Sequence, residues 1–555
     1  MATQRQSPKN HISNLISARY GAISIVSSEE YRVMNTLHDI ASESKELFSW
    51  DSTRGLQVIE KNKNTGEIVI AMNDEGTDYK AASDYGIDTD AMRNPMNCME
   101  EILNWRARHP NSKDAIFVMK DLATLMMTNA GEYRIPEYAR AIRNIAQECI
   151  SSPSTTFILL NPSFKLPSEL EKDVTVYEFP LPSREELGAV LDDALLNVPN
   201  KVRKDLNGTR EVLIDSLSGL TLLEAENVLS MAIVSTGKLD VSAIDFILEE
   251  KAQIIKKSGI AEFIRANVKD GDIGGLDNLS TYTRKRRAAF SSKARAFGLS
   301  APRGVLVVGF PGSGKSLSAK ASTGGTMPLL RVDIGALMGQ FLGNSEENMR
   351  KVLRLADAIA PCVLWFDEIE KGLAGMTGGL SGNDSGRRMF GTLLTWMQEH
   401  ESPVYCFATS NDIGGIASSA PELLRRFDAL FYVDLPTEAE RESIIKIHIS
   451  KKSREPKNFD TAEIAKSFDQ FTGGEIEKAV EYALVTAFED GEREMTTEDI
   501  LSAKSFIVPV ARTMKRGVED MRSEWVSMGC LPASTPKAKQ PETVVEGGRR
   551  RLKVE

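Results

Sequence analysis

At 555 residues the chain is too long for a single core, and roughly three or four folding units are expected. A hydrophobic share of 41% and a charged share of 26% fit an ordinary soluble protein. No apolar run is long enough to span a bilayer, the polar start lacks the hydrophobic stretch of a secretory leader, and a net charge of -10 argues against a surface built to coat nucleic acid.

The first predicted strand, AISIV from Ala22, runs into Ser-Ser-Glu-Glu-Tyr. Further strands follow in AIFVMK from Ala115, TTFILLN from Thr155 and VTVYEF from Val174, and a helix in LSGLTLLEAENVLSMAIV. Each has a counterpart in the same order in the second half, so the two halves read as a repeat. The first copy carries no glycine loop and no lysine after its first strand, and Glu29 and Glu30 would repel a polyphosphate. Only Asp121 stands near the place where the second copy ends a strand in two acids. The Met- and Trp-containing segment 97–105 reads as core packing, with partner binding as the alternative. A helical linker is expected next, followed by a basic cluster, Arg284–Arg287 with Lys293 and Arg295. An exposed helix face explains that cluster more simply than contact with nucleic acid.

In the second half, GVLVVG from Gly304 is a short buried-strand pattern. It leads into Gly309-Phe-Pro311-Gly312-Ser313-Gly314-Lys315-Ser316 and then a helix from Leu317. Strand, glycine turn and helix in that order form the phosphate-binding Walker A turn. Its backbone N–H groups and helix N-terminus face a polyphosphate, Lys315 reaches the outer phosphates, and the Ser316 hydroxyl ligates Mg²⁺. About fifty residues on, CVLWF ends in Asp367-Glu368. At this spacing Asp367 holds the Mg²⁺ shell and Glu368 polarises a water. The strand from Val404 ends in Asn411, which can hydrogen-bond that water or the γ-phosphate; Arg425 and Arg426 precede the next strand. The five cysteines show no metal-ligand spacing, Cys362 and Cys406 sit in apolar runs, and a reducing cytoplasm is expected.

These pieces resemble the AAA branch of the AAA+ ATPases over roughly Asp272 to Asp490. The resemblance makes Gly309, Gly312, Gly314, Lys315 and Ser316 the nucleotide-binding set, with Pro311, Ser313 and Leu317 in the same turn, Asp367–Glu368 the Walker B pair and Asn411 sensor 1. Arg425 and Arg426 resemble arginine fingers that complete a neighbouring copy's site, although the family separates its two arginines and here they are adjacent. Ile273 and Gly274 of Asp272-Ile-Gly-Gly-Leu resemble the segment that wraps the adenine. Gly474 of Thr472-Gly-Gly-Glu resembles the lid's sensor 2 region. Phe341, Leu342 and Gly343 occupy the positions of a pore loop that grips polypeptide, with a helix-flanking core Phe as the alternative, and the Gly/Ser-rich stretch from Gly372 reads as a mobile loop, either a second pore-facing loop or a disordered connection. The stretches ISNLISARYGAISIVSSEE, FSWDSTRGL, KKSGIAEFI and IGGLDNLSTYTRKRR, in an inactive module before an active one, resemble the AAA ATPases of a conserved chloroplast and cyanobacterial reading frame.

The expected fold class is α/β: a P-loop parallel sheet with a helical lid, preceded by a degenerate AAA-like α/β domain. The expected boundaries are 1–250 for the degenerate domain, 251–270 for the linker, 271–436 for the large ATPase subdomain, 437–527 for the lid and 528–555 for a Pro-, Lys- and Glu-rich disordered tail. The resemblance implies an Mg²⁺-dependent ATP hydrolase that assembles with itself into a ring, expected to be a hexamer, and moves a protein client through a central pore. The alternatives are a nucleotide-gated scaffold or switch and a nucleic-acid-stimulated ATPase. No membrane association is expected.

Overall fold

The computed structural model describes residues 7–552, apart from 42–43, 63–64, 74–75, 77, 127–135, 153, 164–166, 197–209, 238–240, 258, 266–267, 269, 291–293, 295–296, 326, 340–344, 374–383, 515–516, 536–542 and 547–548. The chain divides into two compact units, Met1–Pro182 with Leu220–Asn227, and Ser183–Gly219 with Val228–Glu555.

In the first unit the strands are β1 (Ala22–Val26), β2 (Lys45–Asp51), β3 (Gly55–Lys61), β4 (Ile68–Ile70), β5 (Asp114–Lys120), β6 (Thr155–Asn161) and β7 (Val174–Glu178). They form one sheet in the order β4-β3-β2-β5-β6-β1-β7. Pairing is parallel from β2 to β7 and antiparallel only where β3 and β4 extend the edge.

The second unit contains β8 (Glu262–Ile264), β9 (Gly304–Gly309), β10 (Leu329–Asp333), β11 (Cys362–Asp367), β12 (Val404–Ser410), β13 (Ala429–Val433) and β14 (Leu531–Pro532), in the order β14-β13-β9-β12-β11-β10-β8. Five parallel strands correspond: β7-β1-β6-β5-β2 in the first sheet follow the same chain order as β13-β9-β12-β11-β10 in the second. The repeat read from the sequence is thus a repeat of topology. Strands covered on both faces need apolar side chains on both, which is why β9 and β12 are buried throughout. Alternate residues divide between two cores. Leu306, Val308, Leu364, Phe366, Cys406 and Ala408 pack one way; Val305, Val307, Val363, Trp365, Tyr405 and Phe407 pack the other. The helix Ser345–Ile359 covers the first of these with Met349, Val352, Leu353, Ala356 and Ile359, spaced as one helical stripe.

The lid helices Glu438–Lys451, Thr461–Ser467, Gly473–Glu489 and Thr497–Ala503 share a separate core of Ile445, Ile449, Ile464, Phe468, Phe471 and Val480. The helix Val518–Ser527 does not join that core. Its buried Trp525 stacks on Tyr432 and meets Phe310 edge-on, at centroid distances of 5.5 and 5.0 Å, so it closes the back of the P-loop strand. Order also continues past Ser527, where composition predicts a disordered tail: β14 pairs with β13, and Thr543–Glu546 pairs with Arg549–Leu552. The boundary expected at residue 250 falls inside the helix Val241–Lys257, which packs into the second unit through Ile255. In the same helix Lys251 is fully buried; its Nζ donates to Ser216 O at 3.1 Å and sits 4.8 Å from the Phe263 ring, and burial pulls its pKa down to about 7.

The first unit carries other side chains at the positions that correspond to the phosphate site. Glu30 opens the helix after β1, as Lys315 opens the helix after β9. Lys120 ends β5, as Asp367 ends β11. The residues that follow, Asp121 and Glu368, share the same unusual left-handed backbone, with φ of 54° and 50°. The signs of the lysine and the strand-ending acid are exchanged, and Lys120 Nζ lies 2.6 Å from Glu30 Oε1. Beside this pair, Glu29 accepts from Arg32 Nη1 and from Leu222 N, both at 2.8 Å, with the Glu29 and Arg32 side chains only 7% and 6% exposed. A carboxylate therefore stands just ahead of this helix, where the second unit has its glycine turn. Glu29→Ala would remove the acid that pairs with Arg32 and leave its guanidinium on Pro180 O and the Phe179 ring, and the expected cost to the first unit is about 2 kcal/mol. Calorimetry of the full chain should show one unfolding transition moved down, with nucleotide binding retained; an unmoved transition would contradict the assignment.

Candidate nucleotide-binding site

The turn after β9 is set by its glycines. Gly312 and Gly314 take φ values of 75° and 99°, which side chains with a Cβ rarely adopt, and this lets the backbone curl ahead of the helix Lys315–Ser322. The turn borders a cleft of about 520 Å³ between the sheet and the lid. Pro311, Gly312, Ser313, Gly314, Lys315, Ser316 and Leu317 line it on one side, Asp367, Glu368 and Asn411 on another. Gly309 stands at the end of β9 outside that lining and contributes its carbonyl to Lys315. Ile273 and Gly274 form the far wall, and the lid packs tightly on Gly274: a Cβ there would lie 2.6 Å from Ile444 Cγ1 and 2.8 Å from its backbone N. Gly474 N donates to Gly312 O at 3.0 Å, which docks the lid helix Gly473–Glu489 on the phosphate turn. Thr472 and Glu475 cap that helix reciprocally. Thr221 and Glu224 also bond in the first unit, at the start of the corresponding helix.

One network joins the chemistry-bearing residues. Lys315 Nζ donates to Gly309 O, Phe310 O and Asn411 Oδ1 at 2.8, 2.8 and 2.9 Å. Asn411 Nδ2 donates to Glu368 Oε1 at 3.3 Å and to Glu370 Oε1 at 3.1 Å. Glu368 also pairs with Lys371. Burial lowers the Lys315 pKa to about 8, with Glu370, Glu368 and Asp367 opposing the shift. Asp367 Oδ1 accepts from Thr409 Oγ1 and its Oδ2 from Arg331 Nη2, each at 2.8 Å. The donor set fits an anion and a hard cation. The Ser313 hydroxyl is buried beside the turn without a partner among the described residues, and Ser316 and Asp367 offer oxygen ligands of the kind Mg²⁺ takes.

Several of these residues carried no usable sequence signal. Thr409, Glu370 and Arg331 gain meaning only once strands far apart in sequence lie side by side. His448, Lys451 and Glu477 line the lid wall, and burial pushes the His448 pKa down against the pull of Glu477. Arg425 and Arg426 are not in the cleft. The Arg425 side chain is 77% exposed at the end of the helix Pro421–Leu424, whereas Arg426 has its Nε buried. Phe341, Leu342 and Gly343 lie outside the described residues, as does most of the Gly/Ser-rich stretch from Gly372. In the basic cluster, Arg286 lies 5.0 Å from the Tyr282 ring and Arg287 Nη1 donates to Ser322 O at 3.2 Å, so both are engaged within the unit. A larger cleft, about 800 Å³, adjoins Glu440 and Arg441 but contains none of the glycine turn. No group of three or more metal-ligating side chains occurs among the described residues, all five cysteines are buried free thiols, and no described helix is long and apolar enough to cross a membrane.

Comparison with known proteins agrees with this geometry. Residues 8–179 match the family model for the N-terminal domain of SpoVK-like AAA ATPases, and residues 185–258 that for their second domain. Residues 305–435 match the ATPase family associated with various cellular activities (AAA). The AAA domain-containing protein ycf46 of Guillardia theta is 32% identical over 524 residues, covering 93% of this chain and 94% of its own length. Its counterpart in Pyropia yezoensis is 34% identical over 524 residues, covering 93% and 96%. The proteasome-activating nucleotidase of Methanococcus vannielii is 30% identical over 301 residues, 52% of this chain and 69% of its own. Full-length similarity and the doubled topology lead to one conclusion: the chain belongs to the ycf46 family of AAA domain-containing proteins, ATP-hydrolysing enzymes of the AAA class.

Proposed function

We propose that the chain is an Mg²⁺-dependent ATPase that assembles into a ring of six copies and uses hydrolysis to remodel or translocate a protein client through the central pore. The observation that carries this reading is an incompleteness. Lys315, Asp367, Glu368 and Asn411 line one cleft, yet the exposed Arg425 lies outside it. Phosphoryl transfer gains much from a guanidinium at the γ-phosphate, and a neighbouring copy can supply one.

In this reading the N–H groups of the Gly312–Ser316 turn hold the phosphates, and Lys315 leaves its two carbonyl partners for the outer phosphate oxygens. Glu368 orients a water and takes its proton, while Asn411 fixes the Glu368 carboxylate. Mg²⁺ would be held by Ser316 and Asp367 and would supply charge neutralisation at the phosphates. Ile273, Gly274 and Gly474 close around the base and sugar. The buried free thiols support a reducing, cytoplasmic setting.

Client threading rests on Phe341. An unfolded polypeptide such as casein is expected to stimulate ATP turnover of the native chain. Phe341→Ala should keep basal turnover within about twofold while losing that stimulation, because the aromatic side chain provides the grip. Equal stimulation in both would remove the pore-threading reading and leave a nucleotide-gated switch.

A further inference from the structure

The carboxylate that ends β11 is already engaged by a residue of the neighbouring strand. Arg331 lies in β10, with Trp365 as its register partner in β11 and Glu262 as its partner in β8. Its guanidinium is shared between two acids: Nη2 is 2.8 Å from Asp367 Oδ2, and Nη1 is 3.4 Å from Glu262 Oε2. It stacks 5.1 Å from the Trp365 ring, and its Nε is buried without a partner among the described residues. The stem is thus held in place while the planar head has an acid on either side. Asp367 is the more buried of the two, 16% exposed against 46% for Glu262. Asp367 is also the residue that must turn toward a cation at Ser316. A fixed guanidinium and an arriving dication compete for the same charge, since each favours the ionised carboxylate and they repel one another.

We propose that Arg331 is a positioning residue that couples the cation side of the nucleotide site to β8. It neutralises Asp367 when no cation is bound and moves its ion pair toward Glu262 when Mg²⁺ and nucleotide arrive. β8 is the short strand through which the chain enters the second sheet after the helix Val241–Lys257, so the exchange tightens that entry strand in step with occupancy. The inference rests on the nucleotide-site reading above, with Asp367 as its cation-side acid.

The test is a Mg²⁺ titration of binding of a fluorescent ATP analogue to the full chain, with no hydrolysis needed. Arg331→Met frees Asp367, and the Mg²⁺ concentration for half-maximal binding is expected to fall about tenfold. Glu262→Gln leaves Arg331 with Asp367 alone, and the same concentration is expected to rise about threefold. Arg331→Lys should restore most of the native value. Amide exchange in residues 260–265 should slow with Mg²⁺ and ATP relative to ATP in EDTA for the native chain, but not for Arg331→Met. Shifts in the same direction for Arg331→Met and Glu262→Gln, or an unmoved titration in folded variants, would overturn the coupling. Failure of the native chain to bind the analogue at any Mg²⁺ concentration would instead overturn the nucleotide-site reading.

Discussion

Glu368→Gln is expected to lower ATP turnover by about 10²–10⁴-fold while ATP stays bound, because the amide cannot accept the water's proton. The geometry makes this substitution informative. Glu368 follows β11 with a left-handed backbone, its N–H donates to Thr409 Oγ1 at 3.1 Å, and its carboxylate meets Asn411. Glutamine preserves the size and the hydrogen bond to Asn411, and loses the charge that pairs with Lys371. Binding depends on the glycine turn and Lys315, which the substitution leaves in place. Turnover should be read beside the amount of radiolabelled ATP retained after gel filtration. Turnover within tenfold of the native chain, with ATP bound, would assign the water to another base, with Glu370 the first to examine.

Arg425→Ala with Arg426→Ala is expected to cost about 10³-fold or more in turnover, the scale of a guanidinium lost from a phosphoryl-transfer site. Arg425 should account for most of it, because its side chain is 77% exposed while the Arg426 Nε is buried. Mixing supplies the second half of the prediction. Chains lacking both arginines keep a sound cleft, and Lys315→Ala chains keep sound arginines. Together they should regain turnover that neither shows alone. Loss confined to folding, or no recovery on mixing, would place the arginines in a structural role.

The parts of this architecture that were legible in the sequence are those in which one short segment carries both signal and function. The Gly309–Ser316 turn needs its glycines adjacent to one another, and Asp367 and Glu368 adjoin at a strand end, so spacing alone located them. The doubled topology was legible too, since each strand and helix period recurs in order. The residues that hold Asp367, Thr409 and Arg331, were not legible. They come from the two strands, β12 and β10, that flank β11 in the β9-β12-β11-β10 order, and no local pattern marks them. The exchanged pair Glu30–Lys120 escaped for the same reason: the sequence shows a missing lysine, while only the fold shows what replaced it. At the C-terminal end a Pro- and Lys-rich stretch argues for disorder, yet its first residues, Leu531 and Pro532, pair with β13.

One nucleotide site per chain is the central expectation, since the second unit carries the glycine turn and Lys315 and the first carries neither. The number of nucleotides bound per chain, measured by isothermal titration calorimetry with ATP and Mg²⁺ on the Glu368→Gln chain, addresses this most directly. One equivalent is expected, and none once Lys315→Ala is added. A second equivalent, or one that survives Lys315→Ala, would contradict it.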